Sequence, residues 1–460
     1  MTACEGFGVQ VRMRRDIVSL KDLPLVTRIV YVVEQGFVHV LLPLVFILLA
    51  MRARKELAHL HHLSHRFGFS PPCPKGAVWV FAASLGETRA ASPLIRRLRA
   101  AGHHVLLSHQ SPAGLAEGAR LFAHDEGVTQ CYVPLDVFWA VRLFLRRTRP
   151  VALIVMEIEL WPAMLFETVG KGIPAVMANG NLLERSIGNG RGLRGQVLKL
   201  YSLFSHIFTR TQEYSDRYAR IGVDPSRVTV VGDMKFDQLI DPTHLALSDR
   251  LRTAFVGGAR VLMIASSVEA EEHILLPMVA RLLEADSGLR VLWAPRSPQR
   301  FQAVADALVS LGLTVAQRST FGACVEDVLP KVQVLVGDST GEMNAYYPLA
   351  DLVFVGASLV DHGGHNIVEP MALGRPVVMG PSTYGIDFVA EPAARVGAFE
   401  SLPDAATLEA RIAALLADPS TLAQMAAAAS AFMADQTGAS DRTFSGLQPL
   451  LTLDASGANR

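Results

Sequence analysis

Short apolar runs of strand length alternate with helix-length segments from Val78 onward, and this alternation predicts an α/β protein. The first series consists of VWVFAAS, HVLLSHQ, CYVPLD, ALIVMEIE, PAVMANG, HIFTRT and VTVVGDMKF. Runs that are apolar throughout indicate strands buried on both faces, as in a parallel sheet covered by helices on each side. A second series begins just after Arg260 with VLMIASS, VLWAPR, VQVLVGD, LVFVGAS and PVVMGP. The pattern therefore predicts two α/β domains.

A polar segment, Phe236 to Ser248, separates the two series and contains Asp241-Pro242, a pair that favours turns. The expected organisation is an N-terminal extension (1–24), an anchor helix (25–51), a first domain (52–235), a linker (236–248), a second domain (249–440) and a tail (441–460). Open parallel sheets bind ligands beyond the carboxyl ends of their strands. We therefore expect the functional side chains just after the strands, facing a cleft between the domains.

The longest apolar segment lies near the N-terminus and predicts a membrane anchor. Ile29 to Met51 is about long enough to cross a bilayer, although polar residues interrupt it at Glu34, Gln35 and His39. We favour a single membrane-spanning helix, and an amphipathic helix on the membrane surface is the alternative. The segment is followed by Arg52, Arg54 and Lys55. Positive charge at this end favours a cytoplasmic location for the rest of the chain.

Composition narrows the classes of function. About half of the 460 residues are hydrophobic, which suits two well-buried globular units. Lys plus Arg equal Asp plus Glu at 43 each, so the chain lacks the basic excess typical of nucleic-acid binding, and we expect no nucleic-acid partner. The cysteines form no CxxC pair, and they stand far apart at Cys4, Cys73, Cys131 and Cys324. This spacing argues against a zinc site or a disulfide framework.

The first candidate for chemistry is Glu87, which follows the first predicted strand in the segment SLGETRAA. A carboxylate at the start of a helix is stabilised as an anion by the free N–H groups and the helix dipole. We therefore expect Glu87 to be ionised and able to accept a proton. The alternative is that Glu87 only caps the helix.

A second acidic feature ends the fourth predicted strand in MEIELWP. Glu157 and Glu159 stand at alternate positions, which lie on the same side of an extended strand. Carboxylates at a buried sheet edge are costly unless they are paired or functional. An ion pair with Arg185 or another base is therefore the alternative to a functional role.

The second domain contains the segment VDHGGHNIVEPMALG, which predicts a nucleotide site. Gly363 and Gly364 would let the backbone approach a ligand, and His365-Asn366 would open a helix whose N-terminus can hold a phosphate. Asn366 and Glu369 would share a helix face, with Glu369 accepting from a ribose diol. A glycine-rich turn with a capping Asn is the alternative. Upstream strands end at Pro295-Arg296 and before Gly341-Glu342-Met343, and Arg296 is placed to donate two N–H groups to a phosphate.

Taken in order, these motifs resemble the 3-deoxy-D-manno-octulosonic acid (Kdo) transferases, which add Kdo to the lipid A precursor of lipopolysaccharide. The resemblance runs from about Val30 to Ala390. The motifs are RFGF, SLGETRAASPLI, MEIELWP, NGNLLERS, GDMKFD, ASSVEAEE, APRSPQRF, STGEMNAYYPLADLVFVGASLV and GGHNIVEP. The sequence departs from the family at Val268 and Ser297, where family members usually carry histidines.

The resemblance implies a GT-B glycosyltransferase fold with two Rossmann-like domains, no cofactor and no metal. It also implies inversion at the anomeric carbon of Kdo and release of CMP. Glu87 matches the family's proton acceptor, and Glu157 and Lys235 match groups that stabilise the transition state. The positions that match the CMP site are Pro295, Arg296, Gly341, Glu342, Met343, Asn366, Ile367, Val368 and Glu369.

The expected function is therefore transfer of Kdo from CMP-Kdo to the lipid A precursor (lipid IVA). The expected location is the cytoplasmic face of the inner membrane of a Gram-negative bacterium, with the chain single-pass or tightly anchored. One alternative is another membrane-associated GT-B transferase that uses a different nucleotide sugar. A second is a catalytically silent module that binds nucleotide or lipid, although a mere binder does not need Glu87 as a base. Lys235 would approach the reacting sugar as the domains close, unless it is only a solvated hinge lysine.

Overall fold

A computed structural model describes residues 18–53, 61–157, 159–188, 192–237, 242–321 and 332–451. The chain forms two compact units, one made of Met1–Gln238 with Thr437–Arg460 and the other of Leu239–Gln436. The strands are β1 (Val78–Phe81), β2 (Val105–His109), β3 (Val128–Tyr132), β4 (Ala152–Met156), β5 (Ala175–Gly180), β6 (His206–Thr209), β7 (Val228–Val230), β8 (Arg260–Ser267), β9 (Leu289–Pro295), β10 (Val315–Gln317), β11 (Val334–Val336), β12 (Leu352–Val355), β13 (Val377–Met379) and β14 (Phe399–Ser401).

The α-helices cover most of the segments between these strands. They are α1 (Leu25–Ala53), α2 (Leu63–Arg66), α3 (Leu85–Ala100), α4 (Pro112–Leu121), α5 (Phe138–Thr148), α6 (Pro162–Gly170), α7 (Glu184–Ile187), α8 (Gly192–Leu198), α9 (Gln212–Arg220), α10 (Pro242–Leu251), α11 (Glu269–Ala285), α12 (Phe301–Ser310), α13 (Met343–Tyr346), α14 (Val368–Ala372), α15 (Asp387–Arg395), α16 (Ala405–Ala417), α17 (Pro419–Gln436) and α18 (Ala439–Leu451).

The first unit contains a parallel sheet with the strand order β3-β2-β1-β4-β5-β6-β7. This is the order of a Rossmann fold, in which the chain reverses direction across the sheet between β1 and β4. Every residue of β1, β2, β4 and β6 is buried, because helices cover both faces of the sheet. The fold class predicted from the apolar runs is confirmed in this unit.

The second unit contains another parallel sheet, with the order β10-β11-β9-β8-β12-β13-β14. Its central strands are the five predicted runs. The sequence pattern missed β10 and β14, which are three residues long and only partly buried at the two edges of the sheet. Short, half-exposed edge strands carry no continuous apolar run, so periodicity does not mark them.

One expected boundary, the start of the tail, is wrong, whereas the division between the two units after Gln238 falls inside the expected linker. The segment expected to be a tail, 441–460, is helical up to Leu451, and α18 returns to the first unit, where Leu447 and Leu450 pack with Leu94 of α3. Within the expected linker, residues 238–241 lie outside the described part of the chain. From Pro242 onward the linker is helical, because proline suits the first position of a helix, where its missing N–H group is not needed.

Candidate active site

Glu87 lies in the first turn of α3, directly after β1. The residue is 9% exposed, and its carboxylate accepts hydrogen bonds from the Ala83 backbone N–H at 2.8 Å and from the Ser84 hydroxyl at 3.0 Å. The helix-capping interaction that formed our alternative is therefore present, and the carboxyl group still lies at the carboxyl edge of the sheet. A capping bond and a catalytic role are compatible at this position.

The charge state of Glu87 differs from the expectation of a simply ionised group. Burial raises the pKa of Glu87 to about 7, against the lowering effect of the bond from Ala83, and the charges of Glu157 and Glu159 raise it further. Burial therefore outweighs the stabilisation that the helix start gives to the anion. The carboxyl group exchanges its proton near neutral pH, which is the range in which a general base works best.

Glu157 follows β4, but the expectation that it alternates with Glu159 along an extended strand is wrong. The strand ends at Met156, and Glu157 has a φ of +59°, in the left-handed region that is unfavourable for a residue with a side chain. This turn places its carboxylate 2.6 Å from Nη2 of Arg210 and 3.0 Å from Nζ of Lys235. The side chain of Arg185, the partner that we had considered, lies outside the described part of the chain.

These cations determine the charge of Glu157. Burial alone would raise the pKa of Glu157, but the positive charges of Arg210 and Lys235 outweigh this effect and lower the pKa below its usual value. Glu157 is therefore a fixed anion, whereas Glu87 close by titrates near pH 7. Two carboxyl groups at one sheet edge thus hold different charge states because only Glu157 has cationic partners.

Arg210 and Asp233 are site residues that the sequence analysis missed. Arg210 follows β6 with its side chain 7% exposed, and its Nη1 lies 3.3 Å from the Asp233 carboxylate. Asp233 in turn accepts hydrogen bonds from the Asn179 amide at 3.1 Å and from the Lys235 backbone N–H at 2.9 Å. Lys235 is thereby held from both its backbone and its side chain, and its side chain is 33% exposed.

The residues expected to bind CMP in the second unit stand at the carboxyl edge of its sheet. Pro295 ends β9, and the exposed Arg296 donates its backbone N–H to Ser267 at the end of β8. Burial lowers the pKa of His365, and the nearby charge of Arg296 lowers it further, so the imidazole is neutral at pH 7. The end of β9 and the segment after β12 are therefore close together.

Gly341 and Glu342 end the turn between β11 and α13, and Met343 is the first residue of α13; Gly341 has a φ of +90°. The Glu342 carboxylate is bound inside the unit, where it accepts from the hydroxyl groups of Ser339 at 2.5 Å and Tyr346 at 2.9 Å. It also pairs with Arg318 at 3.2 Å. Glu342 therefore shapes this turn, and the backbone of 341–343 is the part that can meet a ligand.

The segment from Gly363 to Glu369 differs from the expectation in two ways. The helix begins at Val368, with Ile367 as its N-cap, and it is only five residues long, so the predicted helix start at His365-Asn366 is wrong. The cause is a turn in which the Asn366 side-chain oxygen accepts from the Val368 N–H at 2.9 Å. Asn366 therefore stands one residue before the N-cap Ile367 and holds the turn that leads into the helix.

The two glycines also have a different role from the expected one. A Cβ atom on Gly363 would lie 2.4 Å from the Tyr384 carbonyl oxygen, and one on Gly364 would lie 2.4 Å from the Met379 methyl group. Their lack of a side chain therefore lets this segment pack against 379–386 of the same unit. Close approach to a ligand is not needed to explain either glycine.

Comparison with known proteins identifies the chain. A sequence profile described as "3-Deoxy-D-manno-octulosonic-acid transferase (kdotransferase)" matches residues 61–238, and one described as "Glycosyl transferases group 1" matches 326–432. The 3-deoxy-D-manno-octulosonic acid transferase of Bordetella pertussis is 35% identical over 396 residues, which cover 84% of this chain and 90% of that protein. The protein of the same name from Haemophilus influenzae is 31% identical, covering 89% of this chain and 96% of that protein.

The chain belongs to the Kdo transferase family. As a Kdo transferase it is a glycosyltransferase with a role in lipopolysaccharide synthesis, as the resemblance of its motifs implied. A solved structure of UDP-GlcNAc 2-epimerase from Neisseria meningitidis has a TM-score of 0.56 at 13% identity and covers 81% of this chain and 99% of that chain. That similarity concerns the fold alone, and it agrees with two Rossmann-like domains.

Two further features of the Kdo transferase concern metal ligands and a position at which its sequence departs from the family. The described residues contain no cluster of three or more His, Cys, Asp or Glu side chains suited to a metal ion. Val268, which replaces a family histidine, is the N-cap of α11, and its N–H donates to Glu271 at 3.0 Å. Glu271 also accepts from the N–H of Ala357 at 2.7 Å, so this buried carboxylate ties the start of α11 to the segment after β12.

Proposed function

We propose that this Kdo transferase transfers Kdo from CMP-Kdo to the lipid A precursor, lipid IVA, at the cytoplasmic face of the inner membrane. The observation that carries the proposal is the buried carboxyl group of Glu87, whose pKa of about 7 suits a general base at the carboxyl edge of the first sheet. Membrane attachment is supported by α1, which has a mean hydropathy of 1.5 over Leu25–Leu44.

In the proposed reaction, Glu87 removes the proton from an acceptor hydroxyl group while that oxygen attacks the anomeric carbon of Kdo. The bond from the anomeric carbon to the CMP phosphate oxygen breaks on the opposite side, so configuration inverts and CMP leaves with the electron pair. Lys235 supplies positive charge to the reacting sugar, and Glu157 holds the Lys235 ammonium at 3.0 Å. A positioned charge of this kind stabilises the transition state without reorganising during the reaction.

The proposed CMP site consists of Pro295, Arg296, Gly341, Glu342, Met343 and 366–369. Arg296 is exposed and forms no ion pair within the described residues, so its guanidinium can receive the phosphate of CMP. The short helix α14 supplies little dipole, and Arg296 therefore bears the main part of the leaving charge. No metal ion enters this scheme.

The direct test is mass spectrometry of lipid IVA after incubation with the enzyme and freshly generated CMP-Kdo. We expect the acceptor to gain the mass of Kdo while CMP appears in equal amount, and Glu87→Gln serves as the inactive control. Parallel reactions with UDP-sugars address the runner-up, another transferase of the same fold. Sugar transfer from a UDP donor, or CMP release without any change in acceptor mass, would contradict the proposal.

A further inference from the structure

Two of the three polar residues that interrupt α1, Gln35 and His39, face the first unit. The Gln35 amide group donates to the Asp136 carbonyl oxygen at 3.2 Å, and its oxygen accepts from the Phe138 N–H at 3.0 Å. One helical turn further on, the His39 ring accepts from the Trp139 indole N–H at 3.0 Å. These side chains, which weaken the helix as a membrane span, are thus used to bind the start of α5.

The same face of α1 is attached at two earlier points. The Thr27 hydroxyl donates to the Gln196 side chain at 2.8 Å, and the Tyr31 ring stacks on Phe166 of α6 with 3.8 Å between centroids. Residues 27, 31, 35 and 39 recur every four positions, so they lie along one side of the helix. The first unit therefore holds α1 from its first turn to His39.

The opposite side of α1 carries a continuous apolar surface, which we call the outer face. It is exposed along the whole helix, and its members are Leu25, Val26, Ile29, Val32, Val33, Phe37, Val40, Leu44, Ile47, Leu48 and Met51. An exposed apolar surface of this extent in a single helix is costly in water and marks a contact site. Interfacial helices have such a face, and their polar side turns away from the lipid.

Both ends of α1 are tied to the first unit. Before the helix, Val18 and Leu23 are buried in the core of that unit. After it, the chain rejoins the unit at α2, where Arg66 is buried and its carbonyl oxygen accepts from the Leu135 N–H at 2.8 Å. Seven residues, 54–60, connect Ala53 to residue 61, and covalent geometry limits this distance to about 28 Å.

These lengths are incompatible with a span. Fourteen residues of α1 remain after His39, and they extend about 21 Å at 1.5 Å per residue. The hydrocarbon core of a bilayer is about 30 Å thick, and the connection from Ala53 would have to cross it again to reach α2. A helix held on the unit as far as His39 therefore cannot bring its other end to the far side.

We propose that α1 lies in the plane of the membrane surface, with its outer face in the lipid, the first unit on its other side, and both of its ends in the cytoplasm. This inference rests on the membrane location given under the proposed function. It selects the surface anchor that was the alternative to a span in the sequence analysis. Lipid is the occupant that fits, because the helix has the hydropathy of a membrane segment and the sequence at its end carries the basic residues Arg52, Arg54 and Lys55, which suit anionic headgroups.

The first test is topological and uses the full chain with serine at Cys4, Cys73 and Cys324, keeping the buried Cys131. Lys21→Cys places a thiol just before α1, and Lys75→Cys places a reference thiol on the first unit; both positions are exposed. A membrane-impermeant maleimide should label both in inverted membrane vesicles and neither in intact spheroplasts. Labelling of Lys21→Cys from the opposite side to Lys75→Cys overturns the inference but leaves the proposed function intact. Protein found only in the soluble fraction overturns both the inference and the membrane location.

The second test asks whether lipid contacts the outer face beside the unit. Val33→Asp should lower partition into vesicles containing anionic lipid about tenfold, because an in-plane helix inserts this residue. Val309→Asp is the matched control, since Val309 on α12 of the second unit is 57% exposed against 65% for Val33, and it should leave partition unchanged. Unchanged partition of Val33→Asp overturns the inference. The inference is also overturned if Val33→Asp abolishes a dimer of the wild-type protein in detergent while vesicle binding stays intact, because the outer face then binds a second copy of the chain.

Discussion

Replacing Glu87 by glutamine tests two consequences of its burial, the ability to act as a base and a pH-dependent effect on stability. In the wild-type protein the Ala83 N–H lies 2.8 Å from the Glu87 carboxylate, and the side-chain oxygen of glutamine can accept the same hydrogen bond. The Ser84 hydroxyl, which donates to Glu87, can accept from the new amide group. We therefore expect the variant to fold. It cannot take a proton from the acceptor, so turnover should fall by about a hundredfold or more.

The same substitution should change stability in a pH-dependent way. The pKa of Glu87 is raised from 4.5 to about 7 in the folded protein, so the folded state binds its proton more tightly than the unfolded state does. The free energy of unfolding therefore falls as pH rises from about 4.5 through 7, by about 3 kcal/mol in all at about 1.4 kcal/mol per pH unit. Glutamine has no proton to lose. At pH 8 the Glu87→Gln variant should accordingly be more stable than the wild-type protein, and near pH 5 the two should be similar.

Stability is measured by denaturant-induced unfolding of the first unit within the full chain at pH 5 and pH 8. Turnover is measured by the release of CMP from CMP-Kdo. Glu117→Gln is the matched control. Burial would raise the pKa of Glu117, but Arg89 at 2.7 Å and Arg120 at 2.9 Å outweigh it and lower the pKa. Glu117→Gln should therefore destabilise the protein at pH 8. The reasoning on Glu87 is refuted if Glu87→Gln is less stable than wild type at pH 8, or if it keeps wild-type turnover.

Two further outcomes follow from the site. Arg210→Ala leaves the carboxylates of Glu157 and Asp233 short of a buried partner, so unfolding experiments should show a loss of about 3 kcal/mol or more. Arg97→Ala, whose ion pair with Asp441 is exposed, should leave stability nearly unchanged, and an equal loss in both variants would contradict this. Sugar transfer should persist in excess EDTA, since Arg296 takes the leaving charge; activity that returns only on addition of magnesium or manganese would contradict the scheme.

The strands could be predicted because a strand buried on both faces requires a continuous apolar run in the sequence, such as VWVFAAS at β1. The rule that functional residues follow strands then located Glu87 and Glu157. The left-handed turn at Glu157 and the turn at Asn366 could not be predicted from the run alone, because each depends on hydrogen bonds that form after the strand has ended. Such errors of one or two residues decide where a side chain points.

Arg210 and Asp233 were missed for a different reason. Glu157, Arg210 and Asp233 follow β4, β6 and β7, which lie within one run of neighbouring strands, so the network forms only once the strand order is known. Each residue alone is an ordinary charged residue after an apolar run. The signal that could have been used is that all three charged residues follow strands that are close in chain order. Successive strands usually lie side by side, so the residues after them come close together. That signal predicts a cluster of charges, although not which oxygen pairs with which nitrogen.

The anchor shows the limit of hydropathy most clearly. Gln35 and His39 reduce the apolar character of α1 by the same amount whether they face lipid, water or protein, and their partners stand about a hundred residues further along the chain. Those partners, 136–139, follow β3, and Glu87 follows β1 of the same parallel sheet, so both lie at its carboxyl edge. In the proposed arrangement the docked turn of α1 therefore fixes the height of the lipid surface at the edge that carries the base. A lipid acceptor whose acyl chains stay in the bilayer then presents its sugar to Glu87 without leaving the membrane.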